Sequence, residues 1–162
     1  MKNFPFRILS KTGHINKFAY NVTFYKHLVE EEFKLSNIFR ILYFCIPPER
    51  SILIHQDKDI ISKTQETKSY IYILGENNDV YYNTWIPNDD SKIYYKPGPS
   101  SSPRKKNSVP YLNVEDAILI SSTQLTNNMM INIEPFHNVE NRSNKNIAEF
   151  LSIRFDYPKS YD

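Results

Sequence analysis

The sequence contains a single cysteine, Cys45, among 162 residues. One cysteine can form neither an intrachain disulfide nor a cysteine-based zinc cluster, so a reducing compartment is the simpler expectation. Cys45 lies in the apolar run from Ile41 to Ile46, where a free cysteine ordinarily acts as a small buried hydrophobe rather than as a nucleophile.

Long apolar segments and a charge excess are also missing. No run reaches the roughly 18 apolar residues of a membrane-spanning helix, and residues 1–6 lack the apolar stretch of a signal peptide. Twenty basic and 18 acidic residues nearly cancel, and the one basic cluster, residues 104–106, lies among prolines and serines. We therefore expect one cytoplasmic domain over residues 1–162, with neither a membrane nor nucleic acid indicated as a partner.

The periodicity predicts one helix followed by strands. Residues 23–35 place Phe24, Leu28, Phe33 and Leu35 at helical spacing after Thr23, a candidate N-cap. Short segments rich in β-branched and aromatic residues follow, separated by turn residues, and predict strands over 38–46, 51–55, 69–74, 80–86, 117–121, 129–133 and 147–155.

With no helical pattern between these strands, a parallel sheet is not expected. The chain is mainly β, and an antiparallel sandwich or barrel such as a jelly roll fits it. Residues 96–109, rich in proline and serine, form a long predicted loop that we expect to be mobile.

Two of the four histidines end apolar segments. His55 follows residues 52–54, and Asp57 comes two positions later. Because alternate residues of an extended chain point to one side, His55 and Asp57 can present a nitrogen and an oxygen to a common point. His137, which follows the predicted strand 129–133, can supply a third ligand from a distant strand. Two histidines and one carboxylate are the facial triad of non-haem Fe(II) oxygenases, although other divalent metals accept the same ligands.

At these motifs the chain resembles a known family over most of residues 15–157: the Fe(II)/2-oxoglutarate-dependent oxygenase-like proteins of the aspartyl/asparaginyl and prolyl hydroxylase type, especially small phage and marine microbial forms. The matching elements are the early His55-Gln56-Asp57, the later Pro135-Phe136-His137-Asn138-Val139-Glu140-Asn141 and the terminal Ser152-Ile153-Arg154-Phe155. The resemblance implies a double-stranded β-helix, a cupin-like jelly roll with one or two N-terminal helices, in which His55, Asp57 and His137 hold iron.

One departure concerns the co-substrate. Members of this family commonly carry a basic residue soon after the second histidine, where it binds the far carboxylate of 2-oxoglutarate, but this chain has no arginine there. Arg154 on the last predicted strand is the nearest candidate, with Arg142 in the preceding turn as the alternative; an arginine can grip a carboxylate with two parallel hydrogen bonds. Other side chains expected to flank the site are Ser152, Tyr72 and Asn83, together with Tyr70 and Trp85.

The resemblance implies a dioxygenase that uses Fe(II), 2-oxoglutarate and dioxygen to hydroxylate an unknown acceptor. If the protein is viral, its location would be the host cytoplasm. Two alternatives stay open: a noncatalytic jelly-roll module that binds partners or belongs to a virus particle, and a different metal-dependent cupin, such as an isomerase, that has no need of 2-oxoglutarate.

Overall fold

The structure is a computed structural model that describes residues 10–11, 17–57, 68–97 and 108–155. Within these ranges the chain forms two six-stranded antiparallel sheets and one α-helix, so the prediction of a mainly β protein is confirmed. Most of the predicted mobile loop, residues 98–107 with its basic cluster, lies outside the described residues.

The first sheet has the strand order β1-β2-β3-β12-β5-β10. Its strands are β1 (Ser10–Lys11), β2 (Ala19–Asn21), β3 (Ile38–Ile46), β12 (Ala148–Phe155), β5 (Lys68–Ile73) and β10 (Met129–Asn132). The second sheet has the order β7-β8-β4-β11-β6-β9. Its strands are β7 (Tyr94–Pro97), β8 (Ser108–Leu112), β4 (Ile54–His55), β11 (Phe136–Asn141), β6 (Val80–Pro87) and β9 (Ala117–Gln124).

The central strands β3 and β12 are buried on both faces, which explains why they read as nearly continuous apolar runs. Their inner faces, directed at the second sheet, include Phe44 and Phe150, whose rings stack with centroids 4.7 Å apart. Their outer faces, with Ile41 and Ile153, belong to a second apolar cluster, and the α-helix packs against this cluster. One face of the first sheet therefore meets the second sheet, and the other meets the helix.

The helix α1 (Lys26–Phe33) is shorter than the predicted range 23–35, because residues Thr23–Tyr25 form a 3₁₀ turn instead. Thr23 does not cap the helix: its hydroxyl bonds Asn21 Oδ1 at 2.6 Å and accepts the backbone N–H of Ile41 at 3.1 Å. The helix ends where Lys34 adopts a left-handed φ of 54°. No helix within the described ranges is both long enough and apolar enough to cross a membrane.

Most predicted strands agree with the structure. The range 38–46 is identical to β3, and those for β5, β6, β9, β10 and β12 agree to within three residues. The strand predicted over 51–55 is shorter in the structure. Strand β4 comprises only Ile54–His55, and an isolated bridge from Ser51 to Glu140 precedes it. Five strands were not predicted, namely β1, β2, β7, β8 and β11.

Between the sheets lies the largest apolar cluster, but one end of the inner face of the first sheet is polar. Arg40 of β3, Arg154 of β12 and Ser69 of β5 form a row across three strands, because Arg154 is the register partner of both other residues. Ser152 lies two positions before Arg154 and bonds Ser69 through its hydroxyl. We call these four residues the polar corner; two of them, Ser152 and Arg154, line the same cavity as His55 and His137.

Candidate metal site

His55 and His137 are direct cross-strand neighbours. His55 ends β4, His137 is the second residue of β11, and the two are register partners in the second sheet. Opposed residues of an antiparallel pair share one face, here the inner face. Their ring centroids are 4.6 Å apart, and both residues are buried.

Asp57 completes the group from the segment that follows β4. Its Oδ1 lies 3.4 Å from His55 Nε2 and its Oδ2 lies 3.5 Å from His137 Nε2. One ligand atom from each of the three residues lies within 4.8 Å of the others, so this group could hold a metal ion. The adjoining cavity of about 30 Å³ is lined by all three, which leaves room for an ion and little more than one water molecule.

Both imidazole rings are oriented by backbone carbonyls. His55 Nδ1 lies 2.7 Å from Leu53 O, and His137 Nδ1 lies 2.8 Å from Pro135 O. Since a carbonyl oxygen only accepts, each Nδ1 carries the proton of its hydrogen bond, and each Nε2 is left as the ligand atom facing Asp57. In metal-binding histidines, the ring nitrogen that does not bind the metal usually makes a hydrogen bond of this kind.

Burial and the neighbouring His55 lower the pKa of His137 to about 4, so its imidazole is neutral at pH 7. The lone pair of His137 Nε2 then faces a carboxylate oxygen at 3.5 Å with no proton between them. Converging electron pairs in a buried site repel one another unless a cation lies among them. These converging lone pairs would favour a cation among them, so the group could hold a metal ion.

Arg154 is the fourth buried polar residue of this group. Its Nη2 donates to Asp57 Oδ2 at 2.9 Å, and both side chains are at least nine-tenths buried. Burial alone would raise the pKa of Asp57, but Arg154 and the two histidines outweigh it and hold that pKa well below its usual range. Asp57 is therefore ionised across the physiological pH range and available as a ligand.

The other predicted site residues divide into two groups. Ser152 lines the same cavity, beside Arg154. Tyr72 lies on the outer face of the first sheet, where its ring packs 4.5 Å from that of Phe33 in α1. Asn83 lies on the outer face of the second sheet, where Oδ1 accepts from Ser122 and Nδ2 donates to Glu140. Neither Tyr72 nor Asn83 reaches the histidines, because each lies one residue out of phase with the inner face.

The remaining candidates also face outward. Tyr70 contacts Phe155 on the outer side of the first sheet. Trp85 donates its indole N–H to Asn138 at 2.9 Å on the outer side of the second sheet. Arg142, the alternative co-substrate anchor, pairs with Glu140 at 2.7 Å in an exposed position.

Three residues near the site were not predicted. Tyr82 of β6 lies 5.8 Å from His137 between ring centroids and donates its hydroxyl to the backbone oxygen of Asn132; burial and the charge of Asp57 raise its pKa above the usual value. Ser69 and Arg40 belong to the polar corner. The alternation of β6 could have indicated Tyr82, but only strand register reveals the other two.

The chain matches no protein-family model and no curated protein.

Proposed function

We propose that this protein is an Fe(II)- and 2-oxoglutarate-dependent dioxygenase that hydroxylates an acceptor. The observation that carries the proposal is the convergence of two histidine Nε2 atoms and one carboxylate in a buried cavity between two sheets. Two histidines and one carboxylate leave coordination positions open, which is the ligand set of non-haem iron oxygenases.

Strand order supports a double-stranded β-helix as the underlying fold. Eight strands form two four-stranded cores, β3-β12-β5-β10 and β4-β11-β6-β9. Along the chain these strands alternate between the two sheets, except that β6 and β9 are neighbours in one sheet. An eight-stranded, double-sheet arrangement of this kind is the jelly roll of cupin-like proteins, and its metal ligands would lie on β4, just after β4 and on β11.

Each residue then has a definite role. His55 and His137 bind the metal through Nε2, held in orientation by their carbonyl partners, and Asp57 supplies the anionic ligand. When bound, iron and 2-oxoglutarate supply the oxidising chemistry that uses dioxygen. The apolar walls of the cavity, which include Ile71 and Phe150, exclude bulk water from it.

A noncatalytic module is the second candidate, and one observation favours it. The cavity of about 30 Å³ is too small for an organic acid unless side chains move, and Asp57 is already balanced by Arg154. On this alternative the histidines, Asp57 and Arg154 form a buried polar cluster that serves the fold alone.

Metal binding and co-substrate turnover distinguish these candidates. We expect the purified protein to bind about one Fe(II) or Co(II) per chain and, with iron, to convert 2-oxoglutarate to succinate even without an acceptor. His137→Ala should lose both properties. The matched control is His27→Ala, since the side chain of His27 on α1 is 89% exposed.

Each contrary result has a clear meaning. A protein that binds no divalent metal would contradict the proposal and leave the noncatalytic module. Metal binding without any effect of 2-oxoglutarate would also contradict it, and would point to a cupin with different chemistry.

A further inference from the structure

A second cavity lies beside the start of β4, outside the metal site. Its volume is about 370 Å³, against about 30 Å³ for the metal cavity, and this volume is within the range of binding sites for small organic molecules. None of His55, Asp57, His137 and Arg154 lines it. The cavity is therefore a candidate binding site of its own.

The cavity exists because several strands begin or end around it. Residues 17–18 directly precede β2, residues 51–53 precede β4, and residues 113–114 follow β8. The ladder between β4 and β8 has only two register pairs, and Ile54 with Leu112 is the last pair on this side. Beyond that pair the two chains continue as walls of the cavity.

The floor of the cavity is buried and mostly apolar. Ile52, Ile54 and Leu112 are each at most 5% exposed. The fourth buried wall residue is Asn138, which is 4% exposed. Its Oδ1 accepts from the Trp85 indole, and its Nδ2 donates to Ile52 O at 3.1 Å. An amide nitrogen carries two hydrogens, and none of the described residues accepts the second. The floor thus fits an apolar body and offers one hydrogen-bond donor.

The rim of the cavity is positively charged. Lys17 and Lys96 line it, and none of its lining residues is acidic. The Nζ atom of Lys17 lies 5.0 Å from the ring centroid of Phe18, itself a wall residue. The Nζ atom of Lys96 lies 5.0 Å from the ring centroid of Tyr111, the neighbour of Leu112 in β8. Neither lysine forms an ion pair within the part of the chain that the structure describes. Two ammonium groups beside an apolar cavity without a carboxylate favour an anion.

We propose that this cavity binds a small organic anion, with its apolar body on the buried floor and its anionic group at the rim beside Lys17 and Lys96. The two cavities share only Ile52 and Asn138 as lining residues. The site therefore differs from the metal site in position and in chemistry, and it does not depend on the proposed function.

The test uses two fluorescent probes with the same aromatic rings, the anion anilinonaphthalene sulfonate and the neutral phenylnaphthylamine. Each is titrated into the full-length protein in the presence of a chelator. We expect Lys17→Met and Lys96→Met each to weaken sulfonate binding by about two- to fivefold, and the double variant to weaken it by about tenfold. Binding of the neutral probe should stay within about twofold, because methionine keeps most of the aliphatic stem. Added salt should weaken sulfonate binding more in the wild type than in the double variant.

Lys92→Met is the matched control. It removes the same charge from an exposed position in the 3₁₀ turn Asp90–Lys92, and Lys92 does not line the cavity; it should change the binding of neither probe. The inference is overturned if the wild type binds no sulfonate, if the double variant binds it as tightly as the wild type does, or if both probes lose affinity equally. An effect of Lys92→Met as large as that of the rim variants would overturn it too. Because a chelator is present throughout, a failure of the iron-dependent function leaves these outcomes unchanged.

Discussion

The Asp57–Arg154 pair gives the sharpest stability prediction. The chain offers a matched comparison for this pair, because it contains a second arginine–carboxylate pair of nearly equal length that is more exposed. The distance is 2.9 Å for Asp57–Arg154 and 2.7 Å for Glu140–Arg142. Both members of the first pair are at most 8% exposed, whereas both members of the second are 39% exposed.

Replacing Asp57 by leucine leaves the Arg154 guanidinium buried without its carboxylate. Removal of one partner of a buried ion pair costs about 3–5 kcal/mol, whereas Glu140→Gln should cost under about 1 kcal/mol because solvent already screens that pair. The double variant Asp57→Leu/Arg154→Met replaces both charges with apolar groups, so it should recover most of the lost free energy of unfolding, to within about 1–2 kcal/mol of the wild type.

The assay is urea unfolding of the metal-free protein in the presence of a chelator, followed by Co(II) titration of each variant. The double variant should fold nearly as stably as the wild type and still fail to bind Co(II) through this site, since its carboxylate is gone. An Asp57→Leu loss no larger than that of Glu140→Gln, or a double variant as unstable as the single one, would contradict a buried ion pair between Asp57 and Arg154.

Three further predictions concern pH and the core. Because the pKa of His137 is lowered from 6.5 to about 4 in the folded protein, the unfolded chain binds more protons between those values. The stability that this group provides is present above pH 6.5 and is lost as the pH falls toward 4. Metal-free protein should lose about 2 kcal/mol between pH 7 and pH 5 in urea unfolding, and an unchanged midpoint would contradict this. Phe150→Ala removes a core ring that is 2% exposed and should cost about 3–5 kcal/mol, against under about 1 kcal/mol for Phe39→Ala, whose side chain is half exposed; equal losses would show that the packing is misread. Asn141→Ala removes a buried amide that donates to three backbone carbonyls, so thermal unfolding should show a loss of about 2–3 kcal/mol, whereas the exposed Asn144→Ala should change little.

Much of the fold could be predicted from residue patterns. Strand β3 was predicted with its observed bounds, since it is buried on both faces and its apolar run has no competing interpretation. Helix α1 was predicted too long, because spacing alone cannot reveal that the Thr23 hydroxyl bonds the backbone of β3 instead of capping a helix. Local periodicity therefore identified the elements but not the tertiary contacts that end them.

Strand β11 shows why the site itself was harder to predict. Its sequence, Phe136–Asn141, reads as polar although five of its six residues are buried. The inner positions hold a histidine and a buried amide where an ordinary strand would hold aliphatic residues. A polar strand inside a sheet breaks the alternation rule, and such local violations concentrate at functional sites.

The His55–Asp57 pair was visible in the sequence because alternate residues of an extended chain point the same way, but the partners of that pair depend on register. His137 faces His55 only because β11 pairs with β4 at that one position, and a slip of one residue would turn His137 to the outer face. The same holds for Arg154, whose pairing with Arg40 and Ser69 puts its side chain on the inner face of the first sheet. The register of β11 and β12 is therefore what brings dispersed residues together into one group that could hold a metal ion. A substitution that shifts either strand should abolish metal binding without removing any ligand.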